Sequence, residues 1–293
     1  MISVLKFFIR AALWLFCSDI NVRNKFLLNN KLPLLIIANH PNSFLDAIII
    51  GAQYKRKVNF LARGDVFTKK HHRFLLRLLN MIPVYRQREG KQYLHLNEYA
   101  FNESVRLIKN GEAVLIFIEG VCVNSNKLQQ FKKGTTRIIE KLNEQNIFFQ
   151  IHLVGIAYHN FRGINKNVNI SICDFSQQEK ITNAKQRVVF NSIVYEQLES
   201  NIYPPSHNAS IKKSFLYFFH LPYYNLIKKT TNKLTQNTVF YDSVLFSILL
   251  FSYPLFLSLI GFILYIFGLS LPIIFIILLC LPIITKHSTI VFK

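Results

Sequence analysis

Residues 34–46 read LLIIANHPNSFLD. The run Leu34–Ala38 is short, wholly apolar and rich in branched side chains, as in a strand buried on both faces. It ends on Asn39-His40, which puts an imidazole at the carboxyl edge of a strand, where open α/β sheets bind ligands. Asp46 follows six positions after His40. If the intervening residues form a tight turn, its carboxylate returns to the imidazole and accepts from one ring nitrogen. The other nitrogen is then free to take a proton from a hydroxyl. The chain carries no GxSxG and no Cys in a nucleophile's position, so the pair points to direct group transfer with His40 as general base.

Outward from this stretch, short apolar runs recur at Val58–Ala62, Met81–Tyr85, Ala113–Ile118 and Ile147–Tyr158. Helical patterns lie between them at Leu45–Ala52, Thr68–Leu79, Gln92–Lys109 and Thr135–Asn143. Strands alternating with helices predict an α/β domain over residues 18–200, with a mainly parallel central sheet flanked by helices. Within it, residues 160–200 are Asn/Gln-rich and read as less regular. Arg63 follows the second strand and is expected to face a pocket for the substrate phosphate, with Asp65 as its structural partner.

The two ends read differently. From Ser243 to Ile284 there are 42 positions without a charge, and a membrane span needs ~20. A break near Gly268–Pro272 predicts a helical hairpin of about 243–265 and about 270–285, either spanning the bilayer or re-entering one leaflet. Lys228, Lys229 and Lys233 precede it and Lys286 and Lys293 follow it, which sets both ends on the cytoplasmic side. At the other terminus Leu5, Phe8, Ala12 and Leu15 share a helical face and Lys6 and Arg10 share another, the pattern of an uncleaved interfacial helix. The expected organisation is an interfacial helix at 1–17, the α/β domain at 18–200, a basic aromatic membrane-facing linker at 201–240 and the hairpin at 241–293.

At 51% hydrophobic residues the chain is not disordered, and 10 Gly exclude a collagen-like fibre. Cys17, Cys122, Cys173 and Cys280 are scattered without metal-ligand spacing, so free thiols and no metal are expected. The net charge of +20 owes much to a Lys-, Asn-, Ile- and Phe-rich composition. It suits anionic membrane lipids and phosphorylated substrates; no nucleic-acid-binding pattern accompanies it.

Four ordered blocks carry a resemblance: ANHPNSFLD at 38–46, MIPVYR at 81–86, FIEG at 117–120 with FKKG at 131–134, and VGIAY at 154–158. Together, over roughly residues 1–240, they resemble the glycerolipid acyltransferase superfamily, which includes 1-acyl-glycerol-3-phosphate and glycerol-3-phosphate acyltransferases. The resemblance implies that His40 and Asp46 form the catalytic dyad and that Arg86 binds the substrate phosphate. It implies an acceptor-binding role for Glu119 and Gly120. The family's usual FPEGTR reads FIEGVC here, so its second phosphate-binding Arg is missing, and Lys132 or Lys133 is expected to supply that charge. The family commonly has four residues between His and Asp, whereas this chain has five, PNSFL. The block at 154–158 is expected to shape the acyl channel, with no catalytic role.

The implied reaction passes a fatty acyl chain from acyl-CoA or an acyl-carrier protein to 1-acyl-glycerol 3-phosphate at the cytoplasmic face of a membrane, without a cofactor. Alternatives are acylation of glycerol 3-phosphate or another lyso-lipid such as an ornithine lipid, or a non-catalytic membrane-anchored lipid-binding protein.

Overall fold

The computed structural model describes residues 2–67, 70–85, 91–176, 180–205, 210–211, 215–288 and 291–292. In chain order the elements are α1 (Ile2–Phe16), β1 (Cys17–Arg23), β2 (Leu34–Ala38), α2 (Phe44–Gln53), β3 (Val58–Arg63) and α3 (Lys70–Leu78). Next come β4 (Met81–Val84), α4 (Asn97–Lys109), β5 (Ala113–Phe117), α5 (Gly134–Glu144), β6 (Gln150–Tyr158), β7 (Lys166–Phe175) and α6 (Ala184–Asn201). The chain finishes with β8 (Ser210–Ile211), α7 (Phe215–Leu234), α8 (Tyr241–Ile266), α9 (Leu271–Ser288) and β9 (Val291–Phe292).

Contacts divide the chain into two units, Asn21–Tyr158 with Val168–Pro204, and Met1–Ile20 with His159–Asn167 and Pro205–Lys293. The first holds the α/β core. Its sheet runs β1-β7-β6-β2-β5-β3-β4. β2 pairs parallel with β5 and with β6, β3 pairs parallel with β5 and with β4, and β7 alone of these lies antiparallel to its neighbour β6. All five residues of β2 are fully buried. Burial on both faces is what a central parallel strand requires, at ~1.5–3 kcal/mol for each Leu or Ile side chain. Leu35 and Ile37 of β2, Val114 and Ile116 of β5 and Ile151 and Leu153 of β6 line one sheet face with period two. They form one core with Phe101 and Ile108 of α4, Ile138 and Leu142 of α5, and Phe190, Val194 and Leu198 of α6.

From β2 the chain passes to β3 on one side of the sheet, and from β5 it passes to β6 on the other. Right-handed crossovers in opposite directions lie on opposite faces of the sheet, so the loops leaving the carboxyl ends of β2 and β5 turn to opposite faces and a crevice opens at that edge.

The segment 160–200 is more regular than its composition suggests, since it holds β7 and the 18-residue α6. In β7, Lys166, Val168 and Ile170 are buried while Asn167 and Asn169 between them are not, so the first half of the strand alternates through asparagines before Ile170–Ile172 are all buried. In α6 the buried set is only Phe190, Val194 and Leu198, a stripe one residue wide.

The second unit is helical. Its first helix ends at Phe16, whose ring meets Phe246 of α8 edge-on at 5.3 Å. Lys166 and Asp242 form an ion pair of 2.6 Å in which both side chains are fully buried. The pair is saturated further, because Lys166 Nζ donates to the Asn160 side chain at 2.8 Å and Asp242 Oδ1 accepts the Gly163 N–H at 2.9 Å. α1, α7, α8 and α9 enclose an apolar cavity of about 290 Å³, with Leu15, Leu249 and Tyr253 in its wall. Where α8 and α9 meet, a Cβ on Gly261 would lie 2.9 Å from Leu278 Cδ1, so a larger residue there would require the leucine side chain to shift.

The two helices expected at the C-terminus are present, joined through Gly268 at φ +83°. Among the described residues only α8 is long and apolar enough to cross a membrane; the apolar part of α9 is Leu271–Ile283.

Candidate active site

The crevice is built by residues that leave β2 and β5 under tight control. Asn39, buried at the end of β2, brackets Ile156 of β6. Its amide donates to the Ile156 carbonyl at 2.9 Å and its oxygen accepts the Ile156 N–H at 2.8 Å. The Ile118 N–H likewise donates to the Ala38 carbonyl at 3.1 Å. The chain then turns through Pro41, Asn42 and Ser43. Ser43 takes φ +56°, ψ −142°, a conformation costly for a residue with a Cβ. This turn accommodates the five-residue spacing and starts α2 at Phe44, so that Asp46 lies in the helix's first turn with its N–H on the Ser43 carbonyl at 3.1 Å.

Asp46 is fully buried and points back to the imidazole. Its Oδ2 lies 2.9 Å from His40 Nδ1 and accepts the Asn42 N–H at 2.8 Å. Its Oδ1 accepts the Tyr158 hydroxyl at 2.7 Å. An ionised carboxylate only accepts, so the shared proton belongs to His40 Nδ1 and the lone pair to Nε2; this tautomer is inferred from the network. The helix N-terminus adds to the stabilisation of the charge. The His40 side chain keeps 19% of its surface and lies flat on Phe117 of β5, with ring centroids 3.8 Å apart and planes at 11°.

Glu119 lies at the end of β5, 2% exposed, and receives the His40 N–H at 3.3 Å and the Gln129 N–H at 3.2 Å, one on each oxygen. Burial pushes its carboxyl above the usual range, and the two backbone donors work against that rise. Gly120 turns at φ +60° with its N–H on the Phe117 carbonyl at 3.0 Å. A Cβ there would sit 2.9 Å from Lys132 Cγ, so the stem of Lys132 passes over the turn. Lys132 and Lys133 are exposed and stand just before the N-terminus of α5.

Arg63 closes β3, two strands from β2, or ~10 Å across the sheet. It lies at the same edge and forms an ion pair with Asp65, Nε to Oδ1 at 3.1 Å. Arg86 lies outside the described residues. The structure thus brings together His40, Asp46, Glu119, Gly120 and Lys132 and puts Arg63 further along the same edge.

Two participants were missed from the sequence. Cys122, at the position where the family usually has Arg, accepts the Ser43 N–H on Sγ at 2.9 Å. Burial, with Asp46 nearby, pushes its thiol up to about 12, which keeps it protonated and unreactive. Tyr158 was read as channel wall. Its signal was a tyrosine ending a buried strand, where a buried hydroxyl requires a partner.

Residues 19–159 match the family model described as Acyltransferase. The chain is 24% identical over 204 residues to the probable 1-acyl-sn-glycerol-3-phosphate acyltransferase of Mycoplasma genitalium, a match covering 65% of this chain and 69% of that protein. The crystal structure of the 1-acyl-sn-glycerophosphate acyltransferase PlsC from Thermotoga maritima is 19% identical, with a TM-score of 0.49 over 68% of this chain and 78% of that one.

Proposed function

This chain belongs to the glycerolipid acyltransferase superfamily and is an acyltransferase, and from that premise we propose that it acylates a hydroxyl of 1-acyl-glycerol 3-phosphate to make phosphatidic acid. The observation that carries the reading is the buried Asp46 carboxylate holding His40 by Nδ1 at 2.9 Å beside a partly exposed ring.

His40 Nε2 takes the hydroxyl proton as the oxygen attacks the thioester carbonyl. Asp46 stabilises the imidazolium, and general-base assistance of this kind is worth ~10²–10⁴-fold. As the tetrahedral intermediate collapses, the C–S bond breaks, the C–O ester remains, and the proton passes from Nε2 to the departing thiolate. Arg86 and a lysine from Lys132–Lys133 clamp the acceptor phosphate and hold its hydroxyl at attack distance. Arg63, shared with Asp65, adds positive potential at the same edge. Acyl-CoA or an acyl-carrier protein is the donor; both are acidic, which suits a chain of net charge +20.

We place the protein at the membrane with its catalytic residues on the cytoplasmic side. Exposed Val4, Phe7, Phe8 and Trp14 on α1 support an interfacial helix, and α8 supports an anchor. Lysines on both sides of the C-terminal helices support the orientation.

The test pairs lysophosphatidate, glycerol 3-phosphate and a lyso-ornithine lipid with acyl-CoA and acyl-carrier donors, and identifies products by mass. Phosphatidate from lysophosphatidate is expected, lost in His40→Ala. Acylation of either other acceptor with lysophosphatidate ignored would overturn the acceptor assignment, and undiminished activity of His40→Ala would overturn the mechanism.

A further inference from the structure

The reaction needs a carboxylate at His40 Nδ1, but it does not need a phenol behind that carboxylate. Tyr158 ends β6, is fully buried, and donates its hydroxyl to Asp46 Oδ1 at 2.7 Å. It is not left to find that position by packing alone. The Asn126 side chain grips its backbone at both polar atoms, accepting the Tyr158 N–H at 3.0 Å and donating to its carbonyl at 2.8 Å. Asp46 therefore receives three donors, the Asn42 N–H, His40 Nδ1 and the phenol, with no exposure to water.

A phenol on the far oxygen does two things. It locks the plane of the carboxylate, so that Oδ2 stays aimed at Nδ1. It also draws charge away from Oδ2, and a carboxylate with dispersed charge holds an imidazolium less tightly. In the low-dielectric interior this second effect is large. A general base must start the cycle neutral, so weakening the imidazolium keeps His40 competent near neutral pH.

We infer that Tyr158 is the positioning residue of the His40–Asp46 pair, setting both the aim of the carboxylate and the protonation of His40. Its role as a tuner of catalysis rests on the reading of His40 as general base; its effect on the titration of His40 does not. Among the described residues, the titratable groups around the pair are Tyr158 from β6, Glu119 and Cys122 from the chain after β5, and Lys132 beside Gly120. Only Tyr158 of these is hydrogen-bonded to the Asp46 carboxylate in the described contacts.

The test follows the His40 ring by NMR in histidine-labelled full-length protein, with the signal assigned by its loss in His40→Ala. Removing the phenol in Tyr158→Phe concentrates charge on Oδ2, so the imidazolium gains stability. The His40 midpoint is expected to rise by about one unit, matched by an upward shift of the acid limb of kcat/KM by the same amount. Site-specific 3-fluorotyrosine at position 158, a stronger donor of the same shape, is expected to move the midpoint down, which keeps the test open if Tyr158→Phe folds poorly. In an Asp46→Asn background, Tyr158→Phe is expected to leave the midpoint unmoved, because the phenol acts only through the carboxylate.

A midpoint unchanged or lowered in folded Tyr158→Phe overturns the inference, as does a shift that persists without the carboxylate. A moved midpoint in a protein that acylates nothing would sink the functional reading and leave this one standing. An active enzyme with an unmoved midpoint would do the reverse.

Discussion

Replacing Asp46 by Asn removes one charge and almost nothing else. The amide oxygen stays at the Oδ2 position, because an NH₂ there would face two donors, the Asn42 N–H and His40 Nδ1. The NH₂ then meets the Tyr158 hydroxyl, which can rotate to accept. The shape survives while the imidazolium loses its counter-charge. With charge centres about 4 Å apart and an effective dielectric of about 20, that charge is worth about 4 kcal/mol. At 1.36 kcal/mol per decade, Asp46→Asn is expected to lose about 10³-fold in kcat. The imidazolium is also less stable without the carboxylate, so the acid limb of the rate profile moves to lower pH. The assay follows thiol release and product mass with lysophosphatidate and an acyl thioester, on protein whose melting temperature matches wild type. A folded Asp46→Asn enzyme within about tenfold of wild type would refute the electrostatic role given to this carboxylate.

Three further outcomes follow from the geometry. Lys166→Met strands a buried Asp242 that now lacks its 2.6 Å partner, and is expected to cost about 3–5 kcal/mol in thermal unfolding; Lys166→Met with Asp242→Leu recovers most of it, and an unchanged melting temperature in the single variant refutes the pairing. His152 is fully buried between Tyr54 and Asn30, and burial pulls its pKa from 6.5 down to about 4. The unfolded chain then binds the extra proton between those values, so stability is full above pH 6.5 and falls as pH drops towards 4; in melts across that window His152→Gln is expected to flatten the slope. Gly120→Ala must adopt φ +60° and press a Cβ on Lys132, so a cost of about 1–2 kcal/mol is expected, with a raised KM for a phosphorylated acceptor if Lys132 serves it.

Much of the α/β core was legible because its strands are buried on both faces and announce themselves as unbroken apolar runs. Leu34–Ala38 and Ala113–Phe117 needed no partner to be recognised. β7 was not, because its outward positions are Asn167 and Asn169 and its inward ones are separated by them, which reads locally as a polar loop. α6 hid for a related reason, since three buried residues in 18 make too narrow a stripe to see without the sheet it covers.

His40 and Asp46 were visible because they are near in sequence and share a turn. The sequence by itself determined that an imidazole and a carboxylate stand just past a buried strand, that apolar helices close the chain, and that the familiar second arginine is replaced by Val121-Cys122. Only the tertiary structure decided that Ser43 absorbs the extra residue, that both Glu119 oxygens meet backbone donors, and that Tyr158, 112 positions from Asp46, completes the carboxylate's shell. The physical reason is that a hydrogen bond depends on distance in space. Parallel pairing sets β6 against β2 however far apart they lie in the chain, and nothing local to Tyr158 specifies which buried acceptor its hydroxyl will find.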